Sequence, residues 1–153
     1  MKSLELRIPP PLIALLCIVL MWYIQGFYPL GWLTAVWVLP VAILLALTGI
    51  VIASAGAAAF KRAHTTVNPM HPEQTSRLVT GGIYQYTRNP MYLGMALVLT
   101  GIALYLADLS AFLGVALFVR YIGRYQIGPE EDMLLEKFGD EFETYQARVR
   151  RWL

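Results

Sequence analysis

A single cysteine and two histidines leave this 153-residue chain almost without the side chains that build disulfide frameworks or transition-metal sites. Cys17 lies in an apolar run and has no partner in the chain. His64 and His71 lack the spacing of a HExxH or similar motif, so no metal site is expected. Charge is scarce as well. Charged residues make up 14% of the chain, where a soluble domain carries about 25%, while hydrophobic residues reach 58%. That balance argues against a soluble domain and for one compact membrane domain, residues 1–153. Lysine and arginine are missing from two short stretches in particular, 29–31 and 107–110.

What the chain does have is hydrophobic runs. Four of them, at about 11–28, 31–59, 90–107 and 109–127, approach the roughly 20 residues needed to cross about 30 Å of hydrocarbon. The first is read as a span and not a cleaved signal, because no small-residue cleavage site follows it and aromatic residues fill its far end. Pro29-Leu30-Gly31 and Ala107-Asp108-Leu109-Ser110 read as tight turns. The expected fold is therefore an all-α integral membrane protein with four transmembrane helices in two hairpins, 11–59 and 90–127. A polar loop at 60–89 joins the hairpins, and amphipathic helices occupy 128–153.

The basic residues orient it. Lys2 and Arg7 precede the first span, Lys61, Arg62, Arg77 and Arg88 lie in the central loop, and Arg124, Lys137, Arg148, Arg150 and Arg151 follow or end the fourth. By the positive-inside rule both termini and the central loop face the cytoplasm. The net charge of +2 hides this polarity, and the basic face suits anionic lipid headgroups, making the lipid bilayer an expected partner. Nothing points to nucleic acid.

Small residues mark where helices approach. Gly49, Ala53 and Ala57 recur every four residues on the second span, and Gly94 and Gly101 share a face of the third. Pro40 is expected to kink the second helix. Past the fourth span, Pro129 suits a first helical position, Glu130, Glu131 and Asp132 lie in the first turn, and Gly139 can end the segment. A further helix from Asp140 would place Phe142, Tyr145, Val149 and Trp152 on one face, either along the interface or folded back over the loop.

The polar residues concentrate in two places. Between Thr80 and Gly94 the sequence sets glycines, Arg88 and three tyrosines against the start of the third span. Thr80-Gly81-Gly82 permits a sharp turn, and Pro90 marks the helix start. Arg88 thus stands just before a helix N-terminus, where free N–H groups and the dipole favour an anion. Glu130 and Glu131 form the second cluster. Adjacent acids cannot share a helical face, so one can cap while the other pairs with Arg88, Arg124 or a ligand amine. Arg120 and Arg124 face one way near the cytoplasmic end of the fourth span, where snorkelling explains them as well as a site does.

Three motifs then follow in order: Leu78-Val79-Thr80-Gly81-Gly82-Ile83-Tyr84, next Arg88-Asn89-Pro90-Met91-Tyr92-Leu93-Gly94, and finally Glu130-Glu131 with Phe138-Gly139 and Tyr145. Together they resemble the isoprenylcysteine carboxyl methyltransferase and phospholipid methyltransferase family of integral membrane enzymes, over roughly residues 68–153. The resemblance implies S-adenosylmethionine-dependent methyl transfer with S-adenosylhomocysteine as product. It implies that Leu78, Val79, Gly82, Tyr84, Arg88, Asn89, Pro90, Tyr92, Leu93, Gly94, Glu130 and Glu131 form the cofactor site, which makes 60–89 a cofactor loop. Asn89 stands where the eukaryotic carboxyl methyltransferases have histidine, and Ser76 stands roughly where a histidine precedes the Leu-Val-Thr segment.

On that reading Arg88 and the helix N-terminus face the cofactor carboxylate, and Glu130 or Glu131 takes its ammonium or balances its sulfonium. Arg88, Glu131 and Arg124 are the expected catalytic residues, Arg124 or Arg120 orienting an acidic acceptor. The acceptor itself stays open between an isoprenylcysteine-like carboxylate, a phospholipid amine and a small thiol. A small transporter is disfavoured because the first two spans carry no ionisable residue near the midplane. A structural membrane subunit would not need the tyrosine-rich loop.

Overall fold

The computed structural model describes residues 5–30, 36–63 and 76–153, so His64 and His71 lie outside the described residues. Its six α-helices are α1 (Pro10–Ile24), α2 (Val38–Arg62), α3 (Pro90–Tyr105), α4 (Phe112–Ile122), α5 (Gly128–Phe138) and α6 (Asp140–Arg148). Among the described residues the only extended pairing is an isolated antiparallel bridge between Pro29 and Asp108.

Among the described residues α2 is the helix long and apolar enough to cross a membrane; α1 and α3 are apolar but shorter. At 1.5 Å per residue, its 25 residues reach about 37 Å. Its outer face exposes Leu39, Ile43, Leu44, Leu47, Ile50 and Val51, a contiguous apolar surface that water would not tolerate. Lys61 and Arg62 fall in its last turn, where cations complement the helix dipole. The helix begins at Val38, so Pro40 sits in the first turn, where its missing N–H has no intrahelical partner to lose, and no kink is required of it.

α2 packs chiefly against α3, and α1 packs on α4 and α3. The helices of the first two hydrophobic runs thus share α3 as a neighbour. Between α1, which ends at Ile24, and α2, which starts at Val38, residue 31 of the expected turn at 29–31 lies outside the described residues. Small residues explain the α2–α3 contact. A Cβ on Gly49 would strike the Gly94 carbonyl, one on Gly94 would strike the Gly49 carbonyl and Ala53, and one on Gly101 would come within 2.6 Å of the Ala42 carbonyl. Gly56 joins the stripe, a Cβ there lying 2.9 Å from the Pro90 ring.

The two connections at the far end are stapled together. Leu30 N–H donates to the Ala107 carbonyl at 2.7 Å and Leu109 N–H to Tyr28 at 3.0 Å. The buried Asp108 carboxylate accepts from the backbone N–H groups of Gly26 (2.6 Å) and Ser110 (2.7 Å). Its ionised form is favoured, first by the Ser110 hydroxyl and then by these N–H groups, so its carboxyl sits below the ordinary aspartate range.

At the opposite end the backbone stays helical from Phe112 to Phe138, α4 running into α5 through a π-turn at Gly123–Ile127 instead of breaking near residue 127. Proline explains the turn. Pro129 has no N–H for the Tyr125 carbonyl four residues back, and that carbonyl accepts from Leu6 N–H at 3.0 Å instead. Gly139, at φ +49, ends α5 in a conformation glycine adopts without strain. α6 then folds back over the loop: Phe142, Tyr145 and Val149 bury against Tyr84, with Phe60, Leu78 and Val79 packed around them. Trp152 lies past the end of α6 and packs instead on the main core formed by Cys17, Leu99, Phe118 and Ile122.

Candidate active site

Three elements meet at this end: the loop entering α3, the first turn of α5, and the segment that follows α6. A short 3-10 turn at Gly82–Gln85 starts from Gly82 at φ +62 and buries Tyr84, whose ring meets Phe60 edge-on at 5.4 Å. The Tyr145 hydroxyl donates to the Tyr84 carbonyl at 2.7 Å, tying α6 to the turn. Burial pushes the Tyr145 phenol up to about 12, against the opposing pull of Arg88, and raises Tyr84 further.

Asn89, at φ −130 and ψ 56, precedes α3 outside the helical region, and Pro90 occupies the first turn, as the sequence predicts. Around that start the C-terminal segment is held by three donors: Arg88 N–H to the Arg150 carbonyl (3.0 Å), and Asn89 Nδ2 (2.9 Å) and Thr87 Oγ1 (3.4 Å) to the Arg151 carbonyl. Arg88 then points its guanidinium at Glu131, with Nη2 3.1 Å from Oε1. Arg151 closes on the same carboxylate from the other side. Arg88 Nε is buried and has no acceptor.

The two adjacent glutamates diverge as two helical positions must. Glu131 is buried between the arginines, whereas Glu130 Oε1 accepts from the Tyr92 hydroxyl at 2.6 Å and from Gln126 Nε2 at 2.8 Å. Burial, with a smaller push from Glu131, raises the Glu130 carboxyl to about 7 against those hydrogen bonds. The result is a carboxyl half-protonated near neutral pH beside a fully paired carboxylate.

Not every expected residue joins this cluster. Arg88, Asn89, Tyr92, Glu130 and Glu131 come together with Tyr84 nearby; Leu78 and Val79 support Tyr84 from below. Gly94 and Pro90 are spent on the α2 contact, and Leu93 is half-buried on α3. Gly82 is exposed and serves the turn. Arg124 meets neither glutamate: it is exposed and lines, with Arg120, a groove between α1 and α4. Gln126, Arg151 and Thr87 were not anticipated. Gln126 and Glu130 are four apart on one helix, which would have paired them had the π-turn been foreseen. Arg151 carries no such signal among its neighbouring arginines.

Residues 37–141, more than half of the chain, match the sequence profile of phospholipid methyltransferases. The chain belongs to the phospholipid methyltransferase family. The match contains Tyr84, Arg88, Tyr92, Gln126, Glu130 and Glu131, and Arg151 lies beyond it. Family membership makes it a methyltransferase-type protein, and with the apolar α2 a membrane protein. An uncharacterized protein of Haemophilus influenzae is 46% identical over 63 residues, 41% of this chain and all of its own length. Protein-S-isoprenylcysteine O-methyltransferase of Schizosaccharomyces pombe is 35% identical over 72 residues, 47% of this chain but 30% of that protein. No solved structure matches.

Proposed function

We propose that the chain is an S-adenosylmethionine-dependent methyltransferase acting at the cytoplasmic membrane interface on a lipophilic or small acceptor. Four spans would carry it, the α1, α2, α3 and α4 regions, with both termini and the loop before α3 on the cytoplasmic side. The grouping of the basic loop and C-terminal residues at one end, and of the two stapled connections at the other, supports that topology.

One observation carries the site: the partnerless, buried Arg88 Nε beside the Arg88–Glu131 pair. A buried guanidinium N–H without an acceptor is costly, and a ligand carboxylate would satisfy it. The cofactor fits that donor set, its carboxylate on Arg88 and its cationic part near Glu130 and Glu131. When bound it supplies an electrophilic methyl group. The chain's own work is then to orient, exclude water and handle a proton. Tyr84, Tyr92 and Tyr145 wall the cluster. Glu130, near 7, is the group matched to take a proton from an amine or thiol acceptor at neutral pH. A carboxylate acceptor, such as an isoprenylcysteine-like one, would need no base.

The test uses methyl-labelled S-adenosylmethionine and purified protein in nanodiscs, offered phosphatidylethanolamine, a prenylated cysteine analogue or a small thiol. Label should enter one class and be lost in Arg88→Ala. Transfer to an amine or thiol should fall in Glu130→Gln, whereas transfer to a carboxylate should not depend on the loss of a base. No label in any acceptor from folded protein contradicts the proposal.

A further inference from the structure

We propose that the cytoplasmic half of α4 binds an anionic two-chain phospholipid of the surrounding membrane, at a site separate from the Arg88 cluster. Two open grooves flank α4 there. One, of about 580 Å³, lies against α1 and is walled by apolar residues such as Ile13, Leu16 and Leu117. The other, of about 730 Å³, runs over Val115, Ala116 and Val119. Arg120 and Arg124 line both. They stand one helical turn apart on one face, and neither is ion-paired among the described residues.

Two apolar channels sharing a pair of cations have the layout of a lipid with two chains and one negatively charged head. Snorkelling alone accounts for the arginines but not for their neighbour. The Tyr121 hydroxyl, in the α1-side groove, is buried with no hydrogen-bond partner. A phosphate or ester oxygen placed between the arginines and the chains would accept from it. Close packing of Gly114 on Met21 shuts the α1 groove toward the far end, and Leu6 N–H on the Tyr125 carbonyl fixes the segment before α1 at the basic end. The head therefore belongs at the cytoplasmic level. Gln126, two residues from Arg124, points into the core toward Glu130, so the lipid would lie outside the reaction cluster.

The proposal rests on α4 lying in the membrane and not on methyl transfer. Protein reconstituted into vesicles of equal phosphatidylglycerol and phosphatidylcholine is extracted in mild detergent without cofactor, and retained lipid is read by native mass spectrometry. Phosphatidylglycerol should be retained over phosphatidylcholine by about thirtyfold, from the attraction of two basic residues at a membrane surface. Arg120→Gln with Arg124→Gln should reduce that preference to near unity, and inorganic phosphate should not displace the lipid. Equal retention of both lipids by the wild type, an unchanged preference in the double variant, or displacement by inorganic phosphate overturns it.

Discussion

Glu130→Gln should remove a pH dependence of stability that runs opposite to the usual acidic one. The Glu130 carboxyl rises from an ordinary 4.5 to about 7 in the folded protein, chiefly because burial penalises its charge. Between those values the folded state holds a proton that the unfolded chain has released, so stability falls as pH rises. The whole difference corresponds to roughly 3 kcal/mol, or on the order of 10 °C in Tm for a chain of this size. Glutamine keeps an oxygen to accept from Tyr92 and Gln126 but cannot ionise. Thermal unfolding in detergent should therefore show the variant gaining on the wild type from pH 5 to pH 8. Taking the difference between the two proteins cancels the titrating groups that do not interact with Glu130. A constant difference across that range would refute a half-buried, proton-holding Glu130.

Other substitutions probe the packing. Gly94→Ala drives a methyl into the α2 backbone, which has no flexible side chain to yield, and should cost about 3 kcal/mol or more; a Tm within a degree of wild type would contradict the close contact. Tyr145→Phe removes the hydroxyl that donates to the Tyr84 carbonyl and should cost about 1 kcal/mol, read as easier proteolysis near α6, and unchanged cleavage would count against it. Asp108→Asn loses acceptor capacity at the stapled turns and should lower Tm. In the wild type the stability that Asp108 lends is present above its unfolded value and lost as pH falls through the depressed folded one, so the gap between wild type and variant should close in strong acid.

The helices were legible because their signals are local. Pro90 announced α3, Gly139 separated α5 from α6, and the periodicity of Phe142, Tyr145 and Val149 gave the buried face. Small residues marked a packing face on each of the second and third spans, whereas the pairing of those two faces, and the part of Gly56 in it, needed the structure. What escaped depends on distant partners. Pro129 looks like a helix start in isolation; that helix continues through it follows only once Leu6 takes the orphaned carbonyl. Arg88 and Glu131 stood out individually, and their pairing was one of several arrangements open to them. Arg151 and Thr87 could be found only by the return of the C-terminal segment across the start of α3. Arg124 was placed with the chemistry because it is basic and near the interface, but its helical position turns it outward while Gln126 turns in.

The central claim is that Arg88 and the paired glutamates bind S-adenosylmethionine, and isothermal calorimetry on the purified protein in nanodiscs tests it most directly. Saturable binding of S-adenosylmethionine and S-adenosylhomocysteine, lost in Arg88→Ala while the variant still unfolds cooperatively, is the predicted result. Absence of binding by folded wild-type protein, or full binding in the variant, would contradict it.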